Sequence, residues 1–260
     1  MTQLIGVLCE NKKKVIMLSD RMVSTANGSL TFEHESKSSL ISPYAMILTA
    51  GTIHENELID DTKEEVKETT PIKKIAEILA KNYRNIRKKR IEQEILEEVG
   101  LSSFQEFHEK HKLLHSVFVA ELNEKIKDYS LHVHFLLGGV DKQSHLYRIG
   151  GPGMFVGFDT LGFCCIGSGD RHSEPVFAFY KFSPNLPEEN ALRIAFEAKK
   201  KAEMAGGVGR ETDAWIIDKD GICKIDNETI KSLEELHEKQ EDISKFLKSV
   251  QIKRRKVRIS

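Results

Sequence analysis

Apolar and polar positions divide this chain into blocks. Residues 4 to 9 form an apolar run, 10 to 14 a polar break and 15 to 19 a second apolar run, which predicts two strands joined by a turn. Loose alternation over 30 to 42 and a strand-like stretch from 44 to 49, ahead of Ala50-Gly51, complete four short strands in the opening of the chain. Past Gly51 the period changes. Thr70 is placed to cap a helix and Pro71 to open it, and Ile72, Ile75, Ile78, Leu79 and Ile86 mark one apolar face. Gly100 is the expected stop. Ser103 and Glu106 have capping-box spacing ahead of Phe104, Phe107, Leu114, Val117 and Phe118, so residues from about 53 to 128 are expected to be mostly helical.

Strand patterns return at 130 to 137, 146 to 149 and 163 to 166, each bounded by glycine. Two helices follow, at 173 to 182 and 187 to 205, the second with a small-residue stripe of Ala191, Ile194, Ala195, Ala198 and Ala202. Strands at 213 to 217 and 221 to 225 flank the turn Lys219-Asp220-Gly221. A last amphipathic helix carries Leu233, Leu236, Ile243, Leu247 and Val250 and runs into a basic tail at Lys253-Arg254-Arg255-Lys256. Blocks of strands separated by blocks of helices predict an α+β chain in which two sheets carry helices on their outer faces.

Composition narrows the function classes. The 260 residues, 40% hydrophobic and 30% charged, are enough for one large, well-filled domain. A formal net charge of -1 and a pI near 6.8 provide no field of one sign to draw the molecule to nucleic acid or to an anionic membrane. The N-terminus shows no basic segment followed by an apolar stretch, and no run approaches the roughly 20 apolar residues of a membrane span. Cys9, Cys164, Cys165 and Cys223 form no CxxC pair, which fits a reducing compartment. A cytoplasmic protein with no nucleic-acid and no membrane partner is expected.

Candidate chemistry begins at Thr2. A threonine hydroxyl needs a base, and a free α-amino group on the same residue can supply one, with an ordinary pKa of about 7.7 to 8.0. Loss of Met1 would expose that amine. His132 and His134 have the spacing of one strand face, but no third ligand stands in a recognisable metal motif.

Much of the chain resembles the proteasome β-subunit family of N-terminal-nucleophile hydrolases. Residues 2 to 9, TQLIGVLC, resemble its opening strand with the nucleophilic threonine first. Residues 15 to 21, VIMLSDR, resemble the second strand with its aspartate. Thr49-Ala50-Gly51 resembles the family's Thr-Ala-Gly, and counting back from it places Lys37 at the catalytic lysine without a gap. Leu136-Leu137-Gly138-Gly139-Val140-Asp141, Gly167-Ser168-Gly169 and Asp213-Ala214-Trp215-Ile216-Ile217 resemble its later strands and the motif that closes the site.

The resemblance implies a four-layer αββα sandwich over residues 1 to 226, with a helical insertion around 84 to 115 and a C-terminal helix and basic tail over 227 to 260. It implies a threonine-type peptidase or amidohydrolase that needs no cofactor and no metal, acts on a peptide or protein substrate and assembles as a homo-oligomer. The implied roles are Thr2 as nucleophile, Lys37 as the cation that favours its alkoxide, Asp20 as the partner of Lys37, the Gly51 N–H as oxyanion donor where glycine lets a substrate carbonyl approach, and Ser168 beside the terminal amine. Val23, Glu35, Thr49 and Ile53 fall at specificity-pocket positions.

Two departures stand out. Where the family has an aspartate and a serine that orient the terminal amine, this chain has Ala205 and Val208, with Glu203, Arg210 and Glu211 as the nearest polar substitutes. The helical region is also longer by roughly thirty residues. Hydrolysis through an acyl-enzyme on Thr2 is the first expectation, with transpeptidation as a variant; a non-catalytic assembly or adaptor subunit is the alternative.

Overall fold

The computed structural model describes residues 2–24, 31–33, 36–51 and 56–249. It is a mixed α+β protein built from two five-stranded antiparallel sheets, a short two-stranded one and, among the described residues, seven α-helices. It divides into two compact units, Met1–Lys224 and Ile225–Ser260.

The first sheet contains β1 (Gln3–Cys9), β2 (Lys14–Asp20), β10 (Phe163–Gly167), β11 (Thr212–Asp218) and β12 (Gly221–Lys224), in the order β10-β1-β2-β11-β12. The turn between β1 and β2 is tight enough to hold Glu10, Asn11 and Lys12 at positive φ, and it sets Leu4 opposite Ser19. The second sheet contains β5 (Ser38–Ser42), β6 (Ala45–Gly51), β7 (Val133–Val140), β8 (Ser144–Gly150) and β9 (Met154–Gly157), in sequence order. Between them in the chain, β3 (Met22–Ser24) pairs with β4 (Thr31–Glu33). The opening thus has more and shorter strands than the four expected, because β3 and β4 break away as a separate ribbon.

Alternation decides which side chains meet. One apolar cluster draws Leu4, Leu8, Val15, Met17, Cys164, Ile166, Trp215 and Ile217 from the first sheet together with Met46, Leu48, Ala50, Leu136 and Leu146 from the second. The opposite residues of the second sheet, including Ala45, Ile47, Val133, Phe135, Leu137 and Ile149, join α1 (Asn56–Glu65) and α2 (Ile72–Ile91) in another cluster. On the far face of the first sheet, α6 (Glu188–Ala202) packs on β1 and β2, and α5 (Asp170–Phe179) on β10. Phe163 of β10 stacks on Phe177 of α5 at 4.3 Å.

The expected cap of α2 is not the one used. Thr70 Oγ1 accepts from the Lys67 N–H at 2.9 Å, and the first free N–H of the helix, that of Ile72, donates to Asp141 Oδ2 at 3.1 Å. The cap therefore comes from the end of the second sheet, which sequence spacing does not register. Ser103 caps α3 (Phe104–Lys110) by accepting from Glu106 N–H at 3.2 Å, but Glu106 returns to Ser102 rather than to Ser103.

Beyond α2 the chain makes a π-helical turn and a 3₁₀ turn, then stops at Gly100 with φ 78. α3 and α4 (Ser116–Asp128) follow, and Leu96, Leu101, Phe107 and Leu122 bury one another in a core of their own. Arg87 ties this extension back by donating to the carbonyls of Ile126 at 2.7 Å and Tyr129 at 3.1 Å. In the second unit, Asp226 caps α7 (Asn227–Ser249) by accepting from Thr229 N–H at 2.7 Å. Among the described residues no helix is long and apolar enough to cross a membrane.

His145 in β8 lies between two carboxylates, with Nδ1 2.6 Å from Asp159 and Nε2 3.2 Å from Asp141, the same Asp141 that caps α2. The hydrogen bond to Asp159 holds the imidazole proton above its ordinary range, against the opposing effect of burial. A cation whose folded pKa is raised contributes its full stability below the unfolded value of about 6.5 and loses it as pH rises through the folded value. Thermal denaturation of the wild type and of His145→Gln at acidic and alkaline pH tests this: the wild type is expected to lose its advantage over the variant as pH rises.

Candidate active site

The β1–β2 hairpin brings residues near the start of β1 beside the end of β2. Thr2 precedes β1 and Asp20 closes β2, so pairing of Leu4 with Ser19 places them at the same end of the sheet. Asp20 is fully buried. Burying a charge is tolerable only when it is paired and hydrogen-bonded, and both carboxylate oxygens are supplied. Oδ1 accepts from the Gln3 N–H at 2.8 Å and Lys37 Nζ at 2.7 Å; Oδ2 accepts from the Met22 N–H at 3.2 Å and the Gly209 N–H at 3.0 Å.

Lys37 comes from the other sheet. It precedes β5, whose Ser38 pairs with Leu48 of β6, and its carbonyl accepts from the Thr49 N–H at 2.9 Å. That anchor directs the lysine side chain across to Asp20, where only 9% of it is exposed. Nζ also lies 3.0 Å from Thr2 Oγ1. The hydroxyl thus has an ammonium as neighbour, and the ammonium is held by a buried carboxylate.

β10 supports the other side of Thr2. Gly167 lies opposite Gln3, and the Ser168 N–H donates to the Thr2 carbonyl at 3.0 Å. Ser168 therefore reaches Thr2 through its backbone, while the residue itself is exposed. Gly167 has φ +129, and a Cβ there would stand 1.9 Å from the Thr2 carbonyl oxygen, so no side chain fits.

Gly51 ends β6 opposite Val133, and it is exposed. The expectation tied its need for glycine to an approaching substrate. The structure supplies a nearer reason: with φ +138, a Cβ would stand 2.2 Å from the His132 carbonyl oxygen. Of the pocket positions, Val23 in β3 is half-buried, and Thr49 is half-buried on the opposite face of β6 from Ala50. Glu35 and Ile53 lie outside the described residues. His132 and His134 do not share a strand face, since His132 precedes β7 with φ 54.

The loop after α6 departs from the expected chemistry. Val208 is buried and its N–H donates to the Ala205 carbonyl at 3.2 Å, so neither Ala205 nor Val208 offers a polar side chain to the site. Of the three nearest polar residues, Glu203 pairs with Lys199 and Lys200, Glu211 pairs with Arg21, and the Arg210 carbonyl accepts from Lys199. Among the described residues, the loop reaches Asp20 through the Gly209 N–H. A backbone donor is the same for every residue type except proline, so only the path of the chain could identify it. Gly167 was legible as part of Gly-Ser-Gly, but its contact with Thr2 was not.

Gly167→Ala tests how closely Thr2 is held. The variant is expected to lose more than the about 1–3 kcal/mol that an unfavourable φ alone costs, and where it folds the Thr2 carbonyl must shift, which is expected to lower labelling of Thr2. Unchanged labelling of Thr2 by a threonine-directed electrophile in the folded variant would contradict this geometry.

Compared with known proteins, the chain matches no family model and no curated protein.

Proposed function

We propose that this chain is an N-terminal-nucleophile hydrolase of the proteasome β-subunit type, with its two sheets and outer helices stacked as a four-layer αββα sandwich. It cleaves an amide or peptide bond through an acyl-enzyme on Thr2. The observation that carries this reading is the contact of Lys37 Nζ with both Thr2 Oγ1 at 3.0 Å and Asp20 Oδ1 at 2.7 Å. The apolar clusters on both faces of the second sheet, and the helices on the far face of the first, support the layering.

The chemistry follows from those groups once Met1 is removed. The free α-amine of Thr2, with an ordinary pKa of about 7.7 to 8.0, takes the hydroxyl proton as Oγ1 attacks the substrate carbonyl. Lys37, as an adjacent cation, favours the developing alkoxide, and Asp20 keeps the ammonium in place. The oxyanion is received by the Gly51 N–H. Collapse of the tetrahedral adduct breaks the C–N bond, and the protonated α-amine of Thr2 passes its proton to the leaving amine. Water then cleaves the ester and restores Thr2; an amine in its place would give transpeptidation.

The absence of polar side chains at Ala205 and Val208 is what favours a non-catalytic subunit as the alternative, and reactivity separates the two. A β-lactone or epoxyketone, followed by peptide mapping and intact mass, should show a chain beginning at Thr2 and modified there. Thr2→Ala should abolish labelling, and Thr2→Ser should retain part of it because hydroxyl and amine both remain. Lys37→Ala should slow labelling by about 100-fold or more, the usual scale for a group that assists proton movement. Labelling of folded Lys37→Ala at the wild-type rate would refute the assignment.

A further inference from the structure

Lys199 has no part in the chemistry above, yet it is the least exposed cation near the site. Lysine is almost never fully buried unless paired, and here the side chain is 0% exposed while those of its neighbours Lys200 and Lys201 keep 16% and 35%. It sits in the last turn of α6, beside Ala198 and Ala202 of the buried stripe that packs on β1 and β2.

Its ammonium spans the two ends of the loop that follows. Nζ donates to Glu203 Oε1 at 2.7 Å, just past the end of α6, and to the carbonyl of Arg210, just before β11. Between these points the chain carries Gly206, Gly207 and Gly209. Glycine leaves the backbone the greatest freedom to lose on ordering, so a segment of this composition depends on external tethers. Next to Arg210, the buried Gly209 donates its N–H to Asp20 Oδ2 at 3.0 Å. Burial pushes the Lys199 pKa down; Glu203 opposes that shift, and Asp20 lies close enough to oppose it as well.

We propose that Lys199 is a positioning residue for the Thr2–Asp20–Lys37 unit: its buried ammonium ties Glu203 to the Arg210 carbonyl and so holds the Gly209 N–H on Asp20. The loop then serves the site through a tethered backbone donor at a place where Ala205 and Val208 offer no polar side chain. Its consequence for reactivity rests on the hydrolase reading; the bracing of Gly209 does not.

Lys199→Met tests it, because an apolar side chain of similar length fills the site, and the Glu203 carboxylate left behind is 15% exposed and keeps Lys200 at 2.9 Å as a second cation. The first measurement needs no chemistry. In a Thr2→Ala background, amide exchange at Gly209, followed by NMR, should speed up by about tenfold or more relative to amides in β1 and β2. The second is labelling of Thr2 by a β-lactone. Lys199→Met should lower the maximal labelling rate by about tenfold with the reagent's half-saturation unchanged, and should add little in an Asp20→Asn background, since residues that act through one group are non-additive.

Unchanged exchange at Gly209 would overturn the proposal. So would faster exchange with wild-type labelling, or equal losses of labelling in both backgrounds, which would mark Lys199 as structural only. A wild-type chain that is not labelled at all would refute the hydrolase reading, and Gly209 exchange would still decide the bracing. If Lys199→Met fails to fold, Glu203→Gln removes the opposing charge at the same tether and should speed Gly209 exchange in the same direction; no change there overturns the proposal.

Discussion

A single buried charge organises one end of this protein. Asp20 has no exposed surface, and its four donors come from four separate places: Gln3 in β1, Met22 in β3, Lys37 ahead of β5, and Gly209 in the loop after α6. Removing a partner from a buried ion pair typically costs about 3–5 kcal/mol, because the remaining charge is left without compensation. The segments that converge here are thus fixed relative to one another by the need to satisfy one carboxylate. Thr2 precedes the first of them and shares the lysine, so its hydroxyl is placed by the same constraint.

Close backbone approach is the second requirement at this end of the molecule. Gly167 lies against the Thr2 carbonyl and Gly51 against the His132 carbonyl, both at positive φ, and at neither position does a Cβ have room. One glycine is on each sheet. Each makes a tight edge next to the residues proposed to react, and side-chain donors are replaced by backbone ones: Ser168 N–H on Thr2 and Gly209 N–H on Asp20. Backbone donors carry no side-chain rotamer cost, but the loops that carry them must themselves be ordered, and such donors are only as well placed as those loops.

The helical extension after α2 stands apart from this arrangement. It buries Leu96, Leu101, Phe107 and Leu122 in its own cluster and is tied back to α2 through Arg87. Its core is separate from the inter-sheet cluster, to which β1, β6 and β7 contribute.

Periodicity alone identified the hairpin of β1 and β2, the long α2 with its Ile75 and Leu79 face, the stop at Gly100, the alanine stripe of α6 and the β11–β12 hairpin. These depend on local alternation and on turn residues, which act over a few positions. Resemblance to a family singled out Thr2, Asp20 and Lys37, and the fold brings Lys37 Nζ within hydrogen-bonding distance of both Thr2 Oγ1 and Asp20 Oδ1. Tertiary structure decided the rest. Asp141 replaced Thr70 as the cap of α2, β3 and β4 separated from the main sheets, and Gly209 took the place that Ala205 and Val208 could not fill. In the first and last of these, the deciding partner lies far along the chain, and in the last its donor is a backbone N–H that every residue except proline possesses. Sequence spacing records side-chain type and neighbourhood, whereas the burial of Asp20 is settled only when separate segments meet.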